Sequence, residues 1–124
     1  MTGKRRVLVV DDDQDMVQTL CDILELHGWE TLRGYDGEAA IAMTETHGVN
    51  LVLMDLRMPR MGGAEAWRAI RRSRPAARSV LMTAYAAPET LALFEGQGVV
   101  RVLRKPLDVP ELMDALEVAR REVA

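Results

Sequence analysis

With one cysteine, Cys21, the chain has no internal disulfide to form and no cysteine cluster to hold zinc, so a reducing, cytoplasmic setting is expected. An excess of one charge is also missing. Sixteen basic residues stand against nineteen acidic ones, a net charge of -3, which gives no overall pull toward DNA, RNA or an anionic membrane. Neither nucleic acid nor membrane is therefore expected as a direct partner. The basic start, MTGKRR, leads into only four apolar residues, VLVV, before three aspartates, too few for a signal peptide or a membrane-spanning helix, and a soluble protein is expected. Repeats and low-complexity stretches are absent as well. Aromatic residues are few, so Trp29 and Trp67 read as packing residues and the eight methionines as adaptable core filler. At 124 residues the chain fits one domain, spanning 1–124, that buries roughly two-thirds of the surface of its unfolded form.

What is present is a regular alternation. Val7 to Val10 is an uninterrupted apolar run, the pattern of a strand covered on both faces. From Gln14 to His27 apolar residues recur at Met16, Val17, Leu20, Ile23 and Leu24, which is helical spacing, and Gly28 follows where a left-handed cap is wanted. The same logic predicts strands over Glu30–Arg33, Leu51–Met54, Val80–Met82 and Val99–Leu103. It predicts helices over Gly37–Thr46, Ala64–Arg72, Glu89–Glu95 and Val109–Glu122, the last opened by a capping box of Asp108 and Glu111. Five strands alternating with five helices make an α/β doubly wound parallel sheet, whose functional crevice lies beyond the carboxyl ends of the strands.

The residues after those strand ends carry the chemistry. Asp11, Asp12 and Asp13 follow the first strand, Asp55 the third, Thr83 the fourth and Lys105 the fifth. If the first and third strands are neighbours, the carboxylates of Asp11, Asp12 and Asp55 crowd together, each pair repelling by roughly 4 kcal/mol at about 4 Å in an effective dielectric near 20. A cation is wanted there. Mg²⁺ suits an oxygen-rich site with few protein ligands, and Lys105 adds a mobile positive charge. A carboxylate beside a metal and an ammonium can attack phosphorus, which makes Asp55 the candidate phosphoacceptor and Thr83 a hydroxyl donor to the phosphoryl group. Asp13 instead reads as the cap of the first helix, and Pro59 and Gly63 as shapers of the loop after Asp55.

The four stretches VLVVDDD, LVLMDLRMP, VLMTAYA and LRKPL, in this order and spacing, resemble the signature stretches of response-regulator receiver domains across nearly the whole chain. The resemblance implies a flavodoxin-like sheet of order 2-1-3-4-5 flanked by five helices. It further implies Asp11 and Asp12 as the acidic pair, with Asp12 a direct Mg²⁺ ligand, Mn²⁺ as a possible substitute, and Asp55 as phosphoacceptor and ligand. Arg57 would bind the metal through its backbone carbonyl, and Thr83, the Ala84 amide and Lys105 would hold the phosphoryl group. A cis bond at Lys105-Pro106 is implied too, which proline makes accessible in energy. The donor would be a sensor histidine kinase or histidine phosphotransfer protein docking near the first helix. The readout would be a downstream effector or output domain at the fourth helix, fifth strand and fifth helix, on a monomer or a phosphorylation-dependent dimer. Arg57 and Tyr85 occupy positions that set how long the phosphoryl group survives by autodephosphorylation. One departure is Val102, where the family carries its switch aromatic; Tyr85 is the candidate to report the switch in its place.

Two other classes compete. Asp11-x-Asp13 after a strand mimics an aspartyl-nucleophile phosphatase with Asp11 as nucleophile, but no long insertion is available to serve as a lid. A receiver-like interaction module that works without phosphorylation draws support from Val102 alone. The run Arg71, Arg72, Ser73, Arg74 could be a nucleic-acid patch, yet it falls at a helix C-terminus, where cations are favoured and a solvated end suffices. His27 and His47 precede glycines at helix ends without metal-ligand spacing.

Overall fold

The computed structural model describes residues 5–85 and 87–123; the first four residues of the basic start lie outside them. Strands β1 (Arg6–Val10), β2 (Glu30–Gly34), β3 (Leu51–Asp55), β4 (Arg78–Thr83) and β5 (Val99–Arg104) alternate with helices α1 (Gln14–Leu26), α2 (Gly37–His47), α3 (Gly63–Ser73), α4 (Pro88–Ala92) and α5 (Val109–Val123). All pairings are parallel and the sheet order is β2-β1-β3-β4-β5. Consecutive side chains on a strand face opposite sides, so the apolar runs of β1, β3 and β4 feed two cores. Val7, Val9, Leu53, Val80 and Met82 pack toward α1 and α5. Leu8, Val10, Val52, Met54 and Leu81 pack toward α2 and α3, where Trp67 is fully buried and its Nε1 donates to the Gln97 carbonyl at 2.8 Å.

Short polar side chains set the helix starts. Asp13, Asp36 and Asp108 each accept from a backbone N–H three residues on, at 3.1, 2.7 and 3.1 Å. Gly28 (φ 85°) and Gly48 (φ 62°) close the first two helices in the left-handed conformation their ends require. Cys21 packs in α1 without exposure, and burial raises its thiol pKa.

The fourth helix departs from the sequence expectation of Glu89–Glu95. It spans Pro88–Ala92, and the amides of Leu93, Phe94, Glu95 and Gln97 then bond to carbonyls three residues back in successive turns. None of its own residues is buried, so packing does not enforce a full helix, and Gly96 and Gly98, both at φ 75°, break the path. β4 also begins earlier than expected, at Arg78. Arg74 is not merely solvated: its Nε donates to Asn50 Oδ1 at 2.9 Å.

α5 is pinned to the start of β1 by Glu117, which accepts from Arg5 Nε at 2.7 Å and from Arg120 Nη2 at 2.7 Å. The Arg120 hydrogen bond, seconded by Arg5, holds the Glu117 carboxyl down at about 2 against its ordinary 4.5. A depressed folded pKa gives stability that is complete above 4.5 and is lost as pH falls toward 2. Wild type should therefore exceed Glu117→Gln in stability at neutral pH by at most about 1 kcal/mol, since the pair is partly solvated and screened. Urea melts followed by circular dichroism should show that gap closing between pH 4.5 and 2; a gap constant with pH would mean that the carboxylate charge is not its source.

Candidate functional site

The carboxyl ends of β1, β3, β4 and β5 form one rim, and the charged residues of the sequence meet there. Asp11 leaves β1 almost fully buried, and its amide donates to the Gly34 carbonyl at 3.3 Å. Its Oδ1 accepts from the Asp13 amide at 3.0 Å, which leaves Oδ2 facing the rim. Asp55 ends β3 and is 6% exposed, with Oδ1 accepting from the Arg57 amide at 3.2 Å. Asp12 lies next to them in solvent. Carboxylate oxygens of Asp11, Asp12 and Asp55 all fall within 4.8 Å of one another.

Lys105 answers part of this charge. Its Nζ donates to Asp11 Oδ2 at 2.9 Å and to Asp55 Oδ2 at 3.0 Å. The Lys105 amide donates to the Thr83 carbonyl at 2.8 Å, and the Lys105-Pro106 bond is cis. For Asp55, burial raises the carboxyl pKa and the Asp11 charge adds to it, which together outweigh the lowering by Lys105 and the Arg57 amide. For Lys105, burial alone would lower the pKa, but the hydrogen bonds to Asp11 and Asp55 prevail and raise it, so the ammonium stays charged. Burial therefore decides the direction at Asp55, and the two carboxylates decide it at Lys105. Three carboxylates against one ammonium leave the rim short of positive charge, and oxygens this close are compatible with Mg²⁺, a hard cation that takes few protein ligands.

The backbone holds Asp55 in place. The Leu56 amide donates to the Met82 carbonyl at 2.8 Å, and the Gly63 amide donates to the Leu56 carbonyl at 2.9 Å. A Cβ at Gly63 would overlap the Asp55 carbonyl, so only glycine lets α3 start this close beneath β3. Arg60, at φ 66°, reaches Asp36 at 3.3 Å and ties the loop after Asp55 to the start of α2.

Thr83 ends β4, buried, opposite Arg104 in the ladder. Its hydroxyl both accepts from the Tyr85 amide and donates to the Tyr85 carbonyl, each at 3.1 Å. Ala84 and the ring of Tyr85 are exposed, the latter by 73%. Val102 stands away from the rim, half-buried on β5 opposite Leu81, and lines an open groove of about 420 Å³ with Leu91 and Phe94. Asp13 caps α1, and His27, whose Nδ1 lies 2.8 Å from the Ile23 carbonyl, sits at the far end of that helix. Asp11, Asp12, Asp55 and Lys105 thus come together, with the Arg57 amide on Asp55 and the Thr83 carbonyl on the Lys105 amide, while Tyr85 and Val102 stand apart. The Lys105 bond to Asp11 and the Arg60–Asp36 pair had no signal in the sequence, because each depends on which elements lie side by side; the Thr83 turn onto Tyr85 is local, and sequence reasoning missed it.

The profile of the response regulator receiver domain family matches residues 7–117. A response regulator receiver protein of Anaeromyxobacter sp. is 38% identical over 110 residues, which is 89% of this chain and 46% of that protein. The chain thus spans about half the length of that relative. A CheY-like receiver domain from Methanospirillum hungatei has the same fold, with a TM-score of 0.88 and 27% identity over 96% of this chain and 95% of its own. The response regulator TrrA of Thermotoga maritima, solved in complex with Mg²⁺–BeF, gives a TM-score of 0.83 and 26% identity over 93% of this chain and 98% of that one. Among the described residues no helix is long and apolar enough to cross a membrane. With a matching profile over residues 7–117 and the fold of solved receiver domains, the chain belongs to the response regulator receiver domain family of two-component signalling.

Proposed function

We propose that the chain is a phosphoacceptor switch in which Asp55 takes a phosphoryl group from the phosphohistidine of a sensor histidine kinase or histidine phosphotransfer protein. The observation that carries this reading is Lys105 Nζ shared between Asp11 and Asp55, beside a third carboxylate, at the end of the central strand. An Asp55 oxygen forms a bond to phosphorus in line with the breaking phosphorus–nitrogen bond, whose electron pair leaves with the donor imidazole. Lys105, freed from Asp55 Oδ2 as that carboxylate becomes an acyl phosphate, turns to a phosphoryl oxygen while keeping Asp11. Asp11 and Asp12, the Asp55 carboxylate and the Arg57 carbonyl would hold Mg²⁺, for which Mn²⁺ is a substitute, and the Ala84 amide would bind a phosphoryl oxygen. When bound, the metal supplies positive charge that offsets the carboxylates and the phosphoryl oxygens.

The switch starts at Thr83. Its single hydroxyl proton is committed to the Tyr85 carbonyl, so donating to a phosphoryl oxygen withdraws that bond and loosens the loop after β4. α4, which buries none of its residues, is free to follow, and the surface of α4, β5 and α5 changes for an effector or output domain. Val102 leaves this coupling to the Tyr85 backbone rather than to an aromatic flip on β5. Arg57, exposed two residues after Asp55, and Tyr85, exposed two residues after Thr83, set the rate of autodephosphorylation through access of water. The reading places the protein in the cytoplasm, as one receiver domain over 1–124, monomeric or dimerising on phosphorylation. Val102 also favours a second reading, an interaction module that never needs phosphate.

Incubation with acetyl phosphate and Mg²⁺ should give a one-phosphoryl mass increase in wild type and none in Asp55→Asn; an equal adduct in both would reject Asp55. If neither wild type nor variant gains mass, and beryllofluoride moves no amide near Thr83, the interaction module is the better reading. Mg²⁺ should raise the melting temperature of wild type more than that of Asp12→Ala, because it binds the folded site preferentially. Equal shifts would remove Asp12 from the ligand set. Without Mg²⁺, Lys105→Met should lose about 3–5 kcal/mol in urea melts, since it strands two buried carboxylates; a neutral result would mean that the ammonium gives no net support to the rim.

A further inference from the structure

We propose that the open cavity between α3 and the turn of residues 93–98 is a binding site for a small molecule bearing a diphosphate group. The cavity has a volume of about 530 Å³ and is lined by Trp67, Arg68, Arg71 and Arg72 on one side and by Gly96 and Gln97 on the other. It lies on the α2–α3 face of the sheet, away from the acidic rim.

Three observations set it apart from an ordinary solvated helix face. First, Arg68, Arg71 and Arg72 follow the i, i+3, i+4 spacing that puts side chains on one face of a helix, so three like charges are gathered where repulsion disfavours them. Second, none of the three has a carboxylate within salt-bridge distance or a side-chain hydrogen bond among the described residues, in a chain with more acidic than basic groups. Most other arginines are tied down, as Arg5 is to Glu117, Arg60 to Asp36 and Arg78 to Glu122; among the described residues the side chains of Arg57 and Arg104 also lack a partner, but neither shares a helix face with other arginines as these three do. Third, Arg71 Nη1 is buried against Gly98 with no hydrogen-bond partner, as Arg6 Nε and Ser79 Oγ also are, and turning this side chain out to a bound anion would give it one. The helix C-terminal dipole accounts for cations in the last turn, at Arg71 and Arg72, but not for Arg68 or for the orphaned nitrogen.

The opposite wall is made to approach. A Cβ at Gly98 would overlap the Arg71 guanidinium, so this glycine gives the side chain its place. At Gly96 nothing lies within 4 Å of a built Cβ, which leaves backbone open to a ligand. Trp67 Nε1 fixes that wall to α3 through Gln97. Guanidinium forks pair with phosphate oxygens two at a time, and neighbours about 5–6 Å apart at Cβ match two linked phosphates better than an extended chain. The volume falls in the range of small-molecule sites, about 300–1,000 Å³. The diphosphate could come from an inorganic polyphosphate or from a nucleotide.

The full ¹⁵N-labelled chain, kept in EDTA so that the acidic rim holds no divalent ion, would be titrated with inorganic pyrophosphate and with ADP. Saturable shifts at the Trp67 indole, Gly96, Gln97 and the arginine Nε groups, with none at Asp11 or Asp55, are expected. The double variant Arg68→Ala, Arg72→Ala removes two exposed side chains and should weaken binding by about tenfold or more, with the Trp67 indole resonance of the free protein unmoved. Tighter binding of ADP than of pyrophosphate would identify a nucleotide as the source, and equal binding an inorganic polyphosphate; either supports the site. No saturation by millimolar pyrophosphate, unchanged affinity in the double variant, or response to a polyglutamate peptide alone would overturn it.

Discussion

Carboxylates that repel one another are held together at the rim because the strands that carry them are buried on both faces and cannot shift. Asp11 and Asp55 sit one residue beyond, or at the end of, strands whose preceding side chains are wholly inside, so moving either acid outward would drag Val10 or Met54 out of the core. Exposing one such apolar side chain costs about 1.5–3 kcal/mol. That is comparable with the repulsion of a partly screened carboxylate pair, about 4 kcal/mol at ~4 Å, and Lys105 offsets part of it. The site is therefore a place where the fold spends stability on charge, and a cation has something to relieve.

The same geometry explains why Lys105 works as a hinge of the site. Its ammonium bridges two acids, while its backbone amide is fastened to the Thr83 carbonyl on the neighbouring strand. Asp55 is thereby linked to β4 and β5 through one side chain and one backbone hydrogen bond. Thr83 adds a second route, since its hydroxyl holds the turn that leads into α4. α4, none of whose residues is buried, thus follows soon after Thr83, whereas α1 and α5 carry much of one core.

The arginines divide by the same logic of compensation. Where α5 meets β1 the Glu117 carboxylate gathers Arg5 and Arg120, and the helix is fixed. On α3 no acid answers Arg68, Arg71 and Arg72, so that face stays charged and open beside the turn after α4. A ligand bridging α3 to Gly96 and Gln97 would join α3 to the turn that follows α4.

By itself the sequence determined the alternation of strands and helices, because continuous apolar runs, helical spacing and Asp or Gly punctuation are local and need no neighbours to be read. It also marked Asp11, Asp12, Asp55, Thr83 and Lys105, since polar residues abruptly ending buried strands stand out in one dimension. The limits of α4 escaped it: apolar spacing over Glu89–Glu95 promises a helix, but a helix this short needs an inward face, and only tertiary packing decides whether one exists. The bond from Lys105 to Asp11, 94 residues apart, and the unanswered arginines beside Gly96 were likewise decided only in three dimensions. Each depends on which strand lies beside which and on where a counter-charge fails to arrive, and distance along the chain holds no record of either.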